Sequence, residues 1–392
     1  MTTAAAIAFL VSALAVVYTY AGYPVLVAAW ARLRPRPVRR ATFEPAVTIV
    51  VVVHNGAAII GRKVASCLAQ DYPADRLRMM VVSDGSDDAT CALVGAMDPA
   101  RVRLLAFPQR RGKAACLNDA MRAATDAFVV LTDARQRLDP LAVRRLLENF
   151  ADERVGAASG ELVFEQDGMT DFGRGLDAYW RLEKFLRRSE AIVHSTVGVT
   201  GALYALRREF FREIPADTVL DDVLIPMNVV MQGRRVVFEA GAHAFDAASH
   251  DFTGERTRKV RTLAGNFQLV ASRPDLLLPW RDPIAVQFLS HKVARLAAPF
   301  FMAVALASNA VLALREPPGA WMALLAAQLA FYACAAAGAL WPAAARAAPV
   351  RLARAFVSLN WFVVLGFVEY AFNPNPHLWK STTPRPNDKS SV

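Results

Sequence analysis

Cysteine is scarce in this chain. There are four in 392 residues (Cys67, Cys91, Cys116 and Cys334), and none is paired in spacing with another. That excludes a disulfide scaffold or a zinc framework, and the three in the soluble part read as reduced core thiols. No basic stretch precedes the first apolar run, which is also too long for a secretory signal and has its arginines after it; it reads as an anchor. Arg110-Arg111-Gly112-Lys113 lacks the longer glycine-rich spacing and the following Ser/Thr of a P-loop. A glycine-rich signature with a basic partner near the first strand is also missing, which argues against a nucleotidylyltransferase. Apart from Glu369, the later apolar runs read as free of buried charge, which argues against a transporter. No internal repeat or low-complexity tract is evident.

What is present points to two environments. The chain is 55% hydrophobic yet 20% charged, too apolar for an ordinary soluble protein and too charged for a pure membrane bundle. The net charge of +10 would suit nucleic acid, but many of the arginines flank apolar runs. That pattern fits a cytoplasmic membrane face and no nucleic-acid partner. We read residues 1–30 as a transmembrane helix, 31–45 as a basic linker extended by Pro35 and Pro37, and 46–280 as a cytoplasmic domain. Residues 281–375 then hold about three spans (Val293–Leu314, Ala320–Trp341, Leu352–Phe372), and 376–392 form a tail. Counting spans puts the tail outside, against its own Lys380, Arg385 and Lys389.

Within 46–280, short β-branched runs alternate with amphipathic stretches. Strands are expected at Val47–Val53, Met79–Ser83, Val102–Ala106, Phe128–Leu131, Val155–Phe164, Val199–Arg207 and Arg235–Glu239. Helices fall between them, one starting at Asp222. Near-continuous apolar strands between helices predict an α/β domain with a mostly parallel sheet covered on both faces. Ligands of such sheets bind beyond the carboxyl ends of the strands.

Five constellations sit at such places. Val82-Ser83-Asp84-Gly85-Ser86 ends a strand in an acidic turn. Arg110-Arg111-Gly112-Lys113, followed by Asn118, offers cations and a glycine at a helix start, as a diphosphate requires. Thr132-Asp133-Ala134-Arg135 places a hard oxygen ligand where a diphosphate-bound metal would sit. Leu220-Asp221-Asp222 sets two carboxylates side by side, and their repulsion raises one pKa toward that of a general base. Arg256, Arg258, Lys259 and Arg261 precede the membrane segments. Taken singly, each has a plain alternative as a turn, a helix cap or a basic membrane face.

Their order is more specific. His54-Asn55, SDGSDD, RRGK, TDA, VTGA and LDD in succession over residues 46–261 resemble the membrane-anchored, polysaccharide-synthase-like family 2 glycosyltransferases of GT-A fold. The resemblance implies a nucleotide-sugar donor, most simply a UDP-sugar, bound around Asn55, Asp84, Ser86, Lys113, Asp133 and Arg135. It further implies Mg2+ or Mn2+ on Asp133, an acceptor pocket at Gly201, Arg258 and Arg261, and a catalytic base at Asp222 beside Asp221. The acceptor would be lipid-linked or a growing glycan, in cell-envelope or exopolysaccharide synthesis. The protein would be a multi-pass component of a bacterial inner membrane with its catalytic domain cytoplasmic. Three departures stand out. Val53 and Gly56 replace a common Pro and Glu, Arg135 replaces the second Asp of the DxD motif, and Thr262 replaces the Trp of QxxRW. Arg135 is the main support for an alternative, a catalytically impaired nucleotide-sugar-binding membrane scaffold.

Overall fold

The computed structural model describes residues 2–165, 171–247, 252–341 and 343–373; the tail and its basic residues lie outside them. The strands are β1 (Val47–Val53), β2 (Leu77–Asp84), β3 (Val102–Phe107), β4 (Phe128–Leu131), β5 (Arg137–Leu138), β6 (Val155–Glu165), β7 (Tyr204–Arg207) and β8 (Arg235–Ala247). They form one eight-stranded sheet in the order β3-β2-β1-β4-β7-β6-β8-β5.

β1 reads VTIVVVV because both its faces are buried, and its one polar residue, Thr48, donates to Asp126 at 2.6 Å. Ile49 and Val51 pack with Ile60, Cys67 and Leu146 on one face. Val50 packs with Leu117, Met121 and Leu224 on the other. The pairings are parallel from β3 through β4, antiparallel on both sides of β7, parallel at β6·β8 and antiparallel at β5. The sheet is therefore mixed, with the expected parallel character concentrated in its donor half.

Three boundaries differ from expectation. The strand read at Val199–Arg207 is only Tyr204–Arg207. Residues 198–203 instead turn across the carboxyl edge of β4, where Thr132 Oγ1 donates to the Ala202 carbonyl at 2.6 Å. β8 runs on from Glu239 to Ala247 through small residues, because β6 and β5 supply ladder partners on both sides. The first carboxyl-terminal membrane helix begins at Ala285 rather than Val293. Ser290-His291-Lys292 look like a polar boundary in sequence, but Ser290 and His291 are buried.

Among the described residues, four helical segments are long and apolar enough to cross a membrane: Thr2–Leu33, Ala285–Arg315, Ala320–Leu340 and Ala348–Phe372. The first two each contain one π-helical turn, Tyr18–Gly22 and Leu289–Val293. These turns meet, with Tyr18 Oη 2.7 Å from Ser290 Oγ. The proline-containing linker is strapped to the domain rather than free. The Arg39 amide donates to Asp152, Arg40 pairs with Glu148 and Glu239, and Phe43 packs edge-on against Phe128.

Candidate active site

Because β1, β2 and β4 are parallel neighbours, their carboxyl ends open on one edge, and the loops that follow them converge. Asp84 ends β2 and is 3% exposed. Its carboxylate accepts the backbone amides of Arg111 (2.7 Å) and Gly112 (3.0 Å), so it shapes the RRGK turn. Gly85 has φ +63°, and a Cβ there would lie 2.5 Å from the Arg110 amide nitrogen. Only glycine meets both conditions. Asn55, itself at φ 52°, donates its amide to Ser86 Oγ and accepts the Asp87 amide, both at 3.0 Å. The ends of β1 and β2 are thereby tied together.

The register of β4 and β7 pairs Leu131 with Tyr204, so the segment before Tyr204 faces the residues after Leu131. This brings Asp133 against Gly201. The helix Asp221–Met231 starts at the same place, with the Val199 amide donating to the Asp222 carbonyl at 2.8 Å. A Cβ on Gly201 would lie 3.5 Å from Asp222 Oδ2 and 3.6 Å from Asp133 Oδ2. Two carboxylates from different halves of the sheet therefore border one small space that a larger residue would fill. Lys113 joins them, with Nζ 2.8 Å from Asp133 Oδ1 and 3.1 Å from Asp221 Oδ2.

The electrostatics separate the carboxylates. Burial, reinforced by Asp221, pushes the Asp222 carboxyl up to about 6, against the opposing fields of Lys113, Arg187 and Lys292. Burial alone would lower Lys113; Asp133, Asp221 and Asp222 outweigh it and hold the ammonium well above its usual range. The Tyr204 hydroxyl is buried beneath these groups without a hydrogen-bond partner among the described residues. Arg261 is reached by Asp133, Asp221 and Asp222, which oppose the lowering of its pKa by burial.

Other expected residues are used differently. Arg135 turns away from the Gly201 space and makes a bidentate pair with Asp246 on β8 (2.6–3.1 Å), which Gln136 also contacts at 2.9 Å. Arg258 pairs with Glu255 on its own helix at 2.7 Å. Asn118 exchanges hydrogen bonds with the Ile214 backbone and serves the fold. One residue the motifs did not reveal is Lys63. Buried to 2% exposure, it donates to Thr132 Oγ1 (2.7 Å) and the Gln136 carbonyl (2.8 Å), bracing both ends of the Asp133 loop. Its signal in the sequence is a lysine on the apolar stripe Ile60–Val64–Cys67.

Among the described residues, no group of three or more His, Cys, Asp or Glu is placed to hold a metal. A divalent cation carried by a diphosphate needs only one or two protein carboxylates, the rest being phosphate and water. The hard oxygens of Asp133, bordering the Gly201 space, meet that requirement as one carboxylate.

Residues 48–215 match the model of the family described as Glycosyl transferase family 2. The chain is 34% identical over 140 residues to the succinoglycan biosynthesis protein ExoO of Rhizobium meliloti, covering 36% of this chain and 38% of that protein. It is 20% identical over 229 residues to a poly-beta-1,6-N-acetyl-D-glucosamine synthase of Staphylococcus aureus, covering 57% of this chain and 55% of that protein. The chain thus spans 38% and 55% of the lengths of these curated relatives. Among solved structures, a mannosyltransferase from Pyrobaculum calidifontis in complex with GDP-Man and Mn2+ is similar at a TM-score of 0.70 and 25% identity. The similarity covers 93% of this chain and 99% of that one.

Proposed function

We propose that this chain, a family 2 glycosyltransferase of GT-A fold, moves a sugar from a nucleoside-diphosphate sugar to a lipid-linked or growing glycan, with inversion. The setting we assign is cell-envelope or exopolysaccharide synthesis, at a bacterial inner membrane, with the domain on the cytoplasmic side. The observation that carries the reading is the convergence of Asp133 and Asp222 on Gly201, with Lys113 bridging Asp133 and Asp221. Retention of this arrangement weighs against an impaired scaffold, and the commitment of Arg135 to Asp246 leaves the Gly201 space to the carboxylates.

In this reading the loops at Asn55, Asp84 and Ser86 receive the nucleoside, and Lys113 lies beside the diphosphate. Mg2+ or Mn2+ held by Asp133 would neutralise charge on the departing nucleoside diphosphate. Asp222, with its pKa near 6, takes the proton of an acceptor hydroxyl. That oxygen bonds to the anomeric carbon as the bond to the diphosphate breaks on the opposite face, which inverts the configuration. Asp221 stays paired with Lys113 and raises the basicity of Asp222.

A UDP-sugar is the expected donor. The GDP-Man bound to the Pyrobaculum neighbour makes a GDP-sugar the second candidate. The test is a screen of nucleotide-sugars for release of nucleoside diphosphate, using the full chain in detergent with Mn2+ or Mg2+. One donor should be turned over by wild type and not by Asp222→Asn. Equal release by both would remove Asp222 as the base, and absence of any nucleotide binding would remove the whole reading.

A further inference from the structure

On the membrane side of Asp222 lies a second ionic cluster that the reaction so far does not use. Glu183 accepts Arg295 Nη1 at 2.7 Å, and Arg187 Nε (3.3 Å), Lys292 Nζ (4.0 Å) and His291 Nε2 (3.1 Å) also face it. The other carboxylate here, Glu190, is already engaged by His291 Nδ1 (2.8 Å), Tyr23 Oη (2.7 Å) and the Val197 amide (3.3 Å). Glu183 is thus the carboxylate that Arg187, Lys292 and Arg295 share. These three side chains are only 14–19% exposed, and Arg295 Nη2 is buried without a hydrogen-bond acceptor among the described residues. Partly desolvated cations in excess of their counter-charges are costly, and a buried donor needs a partner. The arrangement asks for an anion.

Two features say which anion. Lys292 and Arg295 belong to the spanning segment Ala285–Arg315, while Arg187 comes from the soluble domain, so the cluster sits where membrane and domain meet. The short segment 197–199 ties the cluster to Asp222, the Val197 amide donating to Glu190 (3.3 Å) and the Val199 amide to the Asp222 carbonyl (2.8 Å), so an occupant would lie near the proposed acceptor position. We propose that Arg187, Lys292 and Arg295 bind the phosphate of a lipid-linked acceptor, whose sugar hydroxyl then meets Asp222. This rests on the glycosyltransferase reading and narrows it, favouring a phosphate-bearing lipid over a neutral glycan.

The test uses the full chain in detergent and three probes: geranylgeranyl phosphate, geranylgeraniol and inorganic phosphate, with binding followed by tryptophan fluorescence. Geranylgeranyl phosphate should bind saturably, and both other probes at least about tenfold more weakly, since charge-assisted hydrogen bonds to the phosphate and burial of the lipid tail each contribute. Lys292→Gln and Arg187→Gln should each weaken it about tenfold and Lys292→Arg should restore it, with nucleotide affinity unchanged as the control for folding. If a Gln variant loses nucleotide binding as well, the wild-type comparison of phosphate against alcohol decides. Equal binding of the alcohol, or of inorganic phosphate, overturns the proposal, as does full retention of binding in well-folded Gln variants. If Asp222-dependent donor turnover persists while geranylgeranyl phosphate fails to bind, this inference falls and the glycosyltransferase reading stands.

Discussion

Two ionic clusters flank Asp222, and they differ in balance. On the proposed donor side, Asp133, Asp221 and Asp222 face Lys113, Arg261 and the buried Lys63. On the membrane side, Arg187, Lys292 and Arg295 outnumber Glu183. Folding alone would favour neutral clusters, because unpaired charge in a poorly solvated place costs stability. An unbalanced cluster is tolerated when a ligand completes it. The proposed donor side is matched in number among these residues, and the membrane side lacks an anion. Asp222 feels both clusters, and burial, the largest cause, lifts its carboxyl to about 6.

The contrast can be broken most severely at its centre. Asp222→Asn should lower transfer about a thousandfold, within the usual range for loss of a general base, with nucleotide affinity unchanged, as measured by coupled release of nucleoside diphosphate. Next in size, a chelator should reduce turnover at least about a hundredfold, with recovery on adding Mn2+ or Mg2+. Asp133→Asn should raise the metal concentration needed for half-maximal rate.

Lys113→Met removes the cation that bridges Asp133 and Asp221 and should lower thermal stability by about 2 kcal/mol. That is less than for a fully buried pair, because the Asp133 side chain is 40% exposed. The pH profile sharpens the comparison further. Asp222 must be ionised to accept a proton, so kcat/KM should fall about tenfold per unit below about pH 6. Lys113 and Lys292 hold that carboxyl down while Asp221 holds it up, so Lys292→Gln should move the acid limb to higher pH. A profile unmoved in Lys292→Gln would separate the two clusters. The smallest effect is expected of Gly265→Ala. Its methyl would lie 2.7 Å from Leu220 Cγ and 2.9 Å from Val219 Cγ1, costing about 1–2 kcal/mol of overpacking. It should reduce kcat more than nucleotide affinity.

The parallel half was legible because burial on both faces writes continuous β-branched runs into β1, β2 and β4. The turns at Asp84, Lys113 and Asp133 follow from the same topology, since parallel strands release their loops on one edge. Other features carry no local signal. β5 is two residues long and exists only because β8 pairs with it. The strand read from Val199 is cut short by the turn that carries Gly201 to the carboxylates. Arg135 looks anomalous beside Asp133 because its partner, Asp246, is 111 residues away. Sequence patterning reads the apolar spans as free of buried charge apart from Glu369, yet Arg295 Nη1 and His291 contact Glu183, 112 and 108 residues upstream. Pairings at such separations leave no pattern within a window, and a π-turn such as Leu289–Val293 has no composition of its own.

The helix Phe252–Ser272 touches two neighbours with almost nothing between. A methyl on Gly366 of the last spanning helix would lie 2.6 Å from Leu263 Cβ and 3.1 Å from the Ala264 amide nitrogen. One residue further on, Gly265 meets Val219 and Leu220, immediately before Asp221. Glycine at each junction lets this helix pack closely on the last span at one place and on the Val219–Leu220 side chains, next to the two aspartates, at the other. A segment long and apolar enough to cross a membrane and the loop of the two aspartates thus share one helix as their common neighbour, so the frame that holds the loop extends into the spanning region.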